Sequence, residues 1–404
     1  MATSAKAEDE AVTNFRTYLR IPSVQPNINY DECVNFLKQQ AESIGLDFKV
    51  YSVTAGKPIV VLTWEGKKPS ASSILLNSHM DVVPVFPDKW KHDPFGAEKD
   101  KDGNIYARGS QDMKCVGIQY LEAIRRLKKK NVRLLRTIHV SFVPDEEIGG
   151  IEGMKKFVTT LDFLSLNVGF AMDEGMASPN EEYVLFYGER SIWHLHIHCP
   201  GSPGHGSLIL PDTAGEKVRY IIDKFMDLRQ KEKEKLQKNP QLKLGDVTTI
   251  NLTQLQGGVQ SNVVPPELTV VFDVRLALDV AHTEFEEMVN KWCREAGEGI
   301  YVEYEQKCPL VDATKLDNTN PWWLAFKAEC DKMNLKLVPQ IFPAATDSRY
   351  IRGIGLPALG FSPMNHTPVL LHDHDEYLNE SIFLKGIEIY ENIIPALANL
   401  SDPQ

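Results

Sequence analysis

The sequence predicts an α/β protein: a discontinuous α/β/α domain interrupted by a smaller one of ferredoxin-like β-α-β-β-α-β order. Three observations carry that expectation. Apolar, β-branched segments alternate with helical periodicity up to residue 187 and again beyond 309. Three of those segments, 73–77, 138–143 and 168–172, run directly into histidine or carboxylates, and strand ends of an α/β sheet share one rim. Between them the pattern changes to strand 189–198, helix 213–237, strands 246–255 and 267–276, helix 281–296 and strand 300–306. A chain of 404 residues is also too long for one ordinary core. The expected division is 1–187 and 310–404 for the first domain, with 188–309 inserted.

Taken in order, residues 7–20 and 29–45 carry helical spacing, the second through Tyr30, Phe36 and Ile44. Strands are expected at 48–53, 58–64 and 73–77, the last leading to His79 and Asp81. Residues 87–111, punctuated by Pro87, Pro94, Gly103 and Gly109, read as an irregular loop. Asp112 precedes a helix at 113–129 whose basic last turn suits the helix dipole. Strand 138–143 stops at Pro144. Asp145, Glu146 and Glu147 follow, and Gly149-Gly150 allows a tight turn. Three clustered carboxylates resist burial, so they form either a solvated acidic turn or a metal site. Strand 168–172 ends in Asp173-Glu174-Gly175. Beyond residue 309, Phe361 and 369–371 are strand candidates and 381–398 is a helix.

Composition narrows the function. Hydrophobic content of 43% with 25% charge is that of a globular protein. A net charge of −11 argues against nucleic acid as a partner. No apolar run reaches the ~20 residues of a membrane span, and the N-terminal MATSAKAEDE has no signal-peptide core. The six cysteines are scattered without a C-x-x-C pair, which points to free thiols and a cytoplasmic location.

A pair of zinc ions takes imidazole and carboxylate ligands, often with one carboxylate bridging. His79, Asp112, Glu147, Glu174 and His372 are the candidates. Asp81, two residues after His79, could orient its imidazole. Glu146 and Glu147 are neighbours whose side chains must diverge, so one can face metals and the other a water as general base. His194, His196 and His198 share one strand face. A half-exposed face is favoured over a metal cluster there, since no acid lies nearby in sequence. His205, in the loop GSPGHGS, is a functional candidate because binding residues concentrate on loops. Asp212-Thr213 reads as a helix cap, and Trp322-Trp323 as packing residues.

Five motifs, LNSHMDVVP, YARGSQDMK, VPDEEIGG, AMDEG and LLHDHDE, together resemble the aminoacylase branch of the di-zinc aminoacylase, dipeptidase and desuccinylase family, over nearly the whole chain. The resemblance implies a zinc-binding catalytic domain, an inserted dimerisation domain, and two zincs per subunit of a homodimer. His79, Asp112 and Glu174 would hold one zinc, and Asp112, Glu147 and His372 the other, with Asp112 bridging. Asp81 matches the residue that orients His79, and Glu146 the general base that activates a zinc-bound water. His205 matches a histidine that reaches into the partner's active site and stabilises the oxyanion. Asn262 in SNVVP and Arg349 in ATDSRY match positions that grip the substrate carboxylate. Asp173 and His374 are the alternates to Glu174 and His372. The implied reaction is hydrolysis of N-acyl-L-amino acids, neutral aliphatic ones such as methionine among them. The alternatives are a dipeptidase or carboxypeptidase of the same family, or a catalytically silent binding relative.

Overall fold

The structure, a computed structural model, describes residues 7–401. In chain order, α1 (Glu10–Leu19) and α2 (Asp31–Ile44) lead into β1 (Asp47–Thr54), β2 (Lys57–Trp64) and β3 (Ser73–His79). The short β4 (Glu98–Lys99) and β5 (Asn104–Tyr106) precede α3 (Lys114–Lys129), β6 (Ile138–Val143), α4 (Leu161–Ser165), β7 (Val168–Asp173) and β8 (Glu182–Glu189). Then come β9 (Ser191–Pro200), β10 (Gly204–His205), α5 (Ala214–Lys238), β11 (Thr249–Gly257), β12 (Val263–Val264), β13 (Glu267–Leu276), α6 (His282–Ala296) and β14 (Tyr301–Lys307). The chain ends with α7 (Pro321–Lys332), β15 (Lys336–Phe342), α8 (Ser348–Gly353), β16 (Ala358–Phe361), β17 (Tyr377–Asn379) and α9 (Glu380–Ala398).

Two compact units result: Met1–Tyr187, Thr314–Pro339 and Thr346–Gln404 in one, Gly188–Ala313 and Gln340–Ala345 in the other. The main sheet has the order β1-β2-β6-β3-β7-β16-β8-β15. At its centre β6, β3, β7 and β16 run parallel. Side chains alternate between the two faces, as the two-residue strand period requires. Val60, Leu62, Ile74, Leu76, Val140 and Phe142 join α1, α2, α3, α7 and α9 in one core. Ile59, Val61, Leu75 and Val143 face a thinner layer with Phe163 of α4 and Ile351 of α8. Full burial of each such side chain is worth about 1.5–3 kcal/mol, so two filled faces give the central strands their rigidity.

The second unit has the sheet order β11-β13-β9-β14. Antiparallel pairing of these strands, with α5 and α6 in the intervening crossovers, makes it ferredoxin-like. Trp193, Leu195, Ile197, Phe272 and Val274 pack with Ile221, Phe225, Phe285 and Val289 of the helices. Thr213 caps α5 in a full capping box with Glu216.

Two expectations need correction. Residues 87–111 are not wholly irregular, because β4 and β5 form a small sheet with the distant β17. Residues 369–371 form no strand: the Gln111 amide donates to the Pro368 carbonyl at 3.0 Å and accepts from Leu370 N–H at 3.0 Å, replacing a ladder partner. Elements α4, α7, α8, β8, β10, β12, β15 and β17 had no expectation. No helix among the described residues is long and apolar enough to cross a membrane.

Candidate metal centre

Three neighbouring parallel strands deliver most of the site to one rim. His79 ends β3, Glu146 and Glu147 follow β6 in a single 3₁₀ turn, and Glu174 follows β7. Asp112 lies just before α3. Its loop is held by Glu376, which is fully buried and accepts from the N–H groups of Gln111 (2.7 Å) and Asp112 (3.3 Å) and from Arg108 (2.7 Å). His372 arrives from the loop before β17 with a left-handed φ of 62°.

The two imidazoles meet opposite oxygens of one carboxylate. His79 Nε2 is 3.1 Å from Asp112 Oδ1, and His372 Nε2 is 3.2 Å from Asp112 Oδ2. Glu174 Oε2 lies 3.7 Å from His79 Nε2, and Glu147 Oε2 lies 3.1 Å from His372 Nε2. Each triad, His79–Asp112–Glu174 and Asp112–Glu147–His372, keeps its donor atoms within 4.8 Å of one another. The His79 Nδ1–H donates to the Asp81 carbonyl at 2.8 Å, which fixes the tautomer and turns Nε2 to the cluster. Glu147 Oε1 is buried without a hydrogen-bond partner. This donor set fits two divalent cations sharing one carboxylate.

Burial raises the pKa of Glu146 well above the carboxylate range, with Glu174 adding to it. Glu174 itself is raised by burial and by Asp112. Burial and then Asp112 push Glu147 to about 7. Burial also acts on Asp112, but His372 and His79 outweigh it and hold the carboxyl well below its usual value. Asp112 and Glu147 lift His372 to about 10. So many acids in a dry pocket need compensating positive charge.

The turn bearing Glu146 and Glu147 is pinned from beneath. Asp81 accepts from the backbone N–H groups of both, each at 3.1 Å, and from Gln25 at 2.8 Å. Its carboxylate is thus committed to the turn, with Oδ1 3.5 Å from His79 Nδ1 while its carbonyl takes the closer bond. Asp145 sits at φ 61° and accepts from the Tyr30 hydroxyl (2.7 Å), Gln25 (3.0 Å) and Lys57 (2.7 Å). Sequence reasoning missed Gln25, Tyr30 and Lys57. They lie about a hundred residues from the turn, and nothing local marks them.

Asp173 is tied to Asn77 (3.1 Å) and Ser348 (2.8 Å), so Glu174 and not Asp173 joins the triad. His374 stays outside it, edge-on to Phe86. Arg349 donates to the Gly149 carbonyl at 2.8 Å, and Tyr350 bonds the same oxygen. Asp347 is a further buried carboxyl beside this turn, raised well above its usual pKa by burial and by Asp173.

His205 and Asn262 belong to the second unit, where β10 and β12 pair His205 with Val263. The Gly206 N–H donates to the Asn262 carbonyl at 2.8 Å, so the two residues share one exposed tip. The His194, His196 and His198 face is half-exposed, as expected, and the sheet supplies the acids that sequence proximity does not. Asp273 lies 3.5 Å from His194, Glu305 3.1 Å from His196, and Glu267 and Glu303 3.2 and 3.3 Å from His198.

A model of the peptidase family M20/M25/M40 matches residues 75–396. Aminoacylase-1 of Homo sapiens is 53% identical over 400 residues, covering 98% of each chain. Aminoacylase-1 of Dictyostelium discoideum is 46% identical over 405 residues, covering 97% of this chain and 98% of that one. Among solved structures, an M20 family metallo-carboxypeptidase from Sulfolobus solfataricus superposes with a TM-score of 0.72 at 20% identity, covering 97% of this chain and 100% of its own. A dinuclear metal binding peptidase of the M20 family from Bacillus subtilis does so at 0.69 and 15% identity, covering 96% and 98%. The matched stretch holds all five residues of the two triads, and the human relative is more than half identical over 98% of this chain. The chain therefore belongs to the peptidase family M20/M25/M40.

Proposed function

We propose that this chain is a zinc-dependent amidohydrolase that converts N-acyl-L-amino acids to a free L-amino acid and a carboxylate. The observation that supports this most directly is Asp112, which turns one oxygen to each imidazole as a bridging ligand must. His79 and Glu174 would complete one zinc site, and Glu147 and His372 the other. When bound, the zinc pair would supply Lewis-acid charge at the scissile carbonyl and acidify the attacking water.

The chain's own groups do the rest. Glu146, held by Asp81 through its backbone N–H, takes a proton from the attacking water and passes it to the leaving amine. Arg349, beside the Glu146 turn through its bond to Gly149, receives the substrate carboxylate. His205 and Asn262 are exposed in their own unit, which supports their acting in a second copy. There His205 donates to the developing oxyanion and Asn262 to the carboxylate. The assembly is therefore proposed as a homodimer. A cytoplasmic location is supported by six free cysteines.

A panel of N-acetyl-L-amino acids and dipeptides tests the reading. N-acetyl substrates are expected to exceed dipeptides in kcat/KM by at least about tenfold. Preference for dipeptides would transfer the same chemistry to a peptidase, and inertness toward both would leave a silent relative.

A further inference from the structure

The tip that carries His205 and Asn262 is also the most apolar exposed spot of the second unit. Ile209 and Val259 are 103% and 92% exposed, the highest values for large apolar side chains among the described residues, and Leu208 is 59% exposed. In the chain, Leu208 and Ile209 follow His205, and Val259 precedes Asn262. Leu208 N–H bonds the His205 carbonyl at 3.0 Å, and Val263 N–H bonds the Gln260 carbonyl at 3.1 Å, so both loops are ordered by the β10–β12 pairing. Exposed aliphatic side chains on two ordered loops, beside an imidazole and a carboxamide, make a surface with one polar centre and an apolar surround. The donors of the two triads are all imidazole and carboxylate.

We infer that Ile209 and Val259 are specificity-determining residues that form the apolar wall for the aliphatic end of a substrate bound at the second copy's metal centre. This rests on the reading that His205 acts across the subunit boundary. An N-acyl amino acid presents a carboxylate, an amide and one or two apolar ends. Arg349 would take the carboxylate and the metals, when bound, would lie at the amide, which leaves an apolar end for the tip. Both residues are exposed, so exchanging them leaves the cores of both units intact.

The test uses mixed dimers of one Glu146→Gln chain with one His205→Ala chain. Each mixed dimer holds one intact site, built from the tip of the first chain and the metal centre of the second, so activity should return. Ile209→Ser with Val259→Ser placed on the Glu146→Gln chain should then lower the ratio of kcat/KM for N-acetyl-L-methionine over N-acetyl-L-alanine about tenfold, since each lost methylene contact is worth about fourfold. The same pair placed on the His205→Ala chain should leave the ratio unchanged. An unchanged ratio in both placements overturns the inference while leaving the shared site standing, even if the dimer dissociates more readily. Failure of the mixed dimers to regain any activity, with their formation shown, overturns the shared site and the inference together.

Discussion

Glu146 and Glu147 are chemically identical neighbours, and their surroundings separate them. Glu147 reaches His372 at 3.1 Å, whereas Glu146 stays 4.0 Å from His79 Nε2. Glu146→Gln should therefore keep both metals, counted by elemental analysis, and lose about 10²-fold or more in kcat, because an amide cannot carry the proton. Near-normal turnover in a fully loaded variant would remove Glu146 from its role. A second prediction concerns His139, buried in β6 between the Thr63 hydroxyl (2.8 Å) and the Leu166 carbonyl (3.2 Å). Burial lowers its pKa from 6.5 to about 4. The unfolded chain binds the proton more readily, so this contribution is intact above pH 6.5 and is lost as pH falls from there toward 4. The expected slope is about 1.4 kcal/mol per pH unit in that window. Urea unfolding of His139→Gln over the same range should be flatter by that amount.

At the scale of elements, the turn after β6 concentrates the constraints. Gly150 has φ 64°, and a Cβ added there would stand 2.4 Å from Asp347 Oδ1. Gly150→Ala combines a left-handed penalty of about 1 kcal/mol with displacement of a buried carboxyl, so stability should fall by more than that. Turnover should fall with it, since Glu146 and Glu147 ride on the same turn. A variant with wild-type urea midpoint and wild-type kcat would show that the turn tolerates a side chain. The strands themselves were legible because each fills one or two cores with a two-residue period, as 138–143 and 267–276 do residue for residue. Residues 369–371 misled for the opposite reason: a short apolar run carries no information about whether a strand or a glutamine amide will satisfy its backbone.

At the scale of the molecule, the two units have separate cores, so their stabilities can move independently. Each metal bound by unit one alone should stabilise it by about 4 kcal/mol at a thousandfold excess over its Kd, about 8 kcal/mol for the pair, and leave the second unit unaffected. Chelation should abolish activity, zinc should restore it at close to two ions per chain, and calorimetry should show one transition lowered while that of the second unit stays fixed. Full activity in a metal-free preparation would end the zinc reading.

The sequence by itself determined the α/β class and the ferredoxin-like order of the insertion, and it named the five candidate ligands that the structure brings together. Periodicity is local, and the strand ends and motif spacings stand in the chain as written. Tertiary structure alone decided that Asp112 turns a separate oxygen to each imidazole, and that Tyr30, Gln25 and Lys57 hold Asp145 under the Glu146 turn. It also set acids from β13 and β14 against the three histidines of β9. Those contacts join residues tens to hundreds of positions apart. Strand register and loop closure place such groups within hydrogen-bond reach, and neither is written in the local pattern of any one segment.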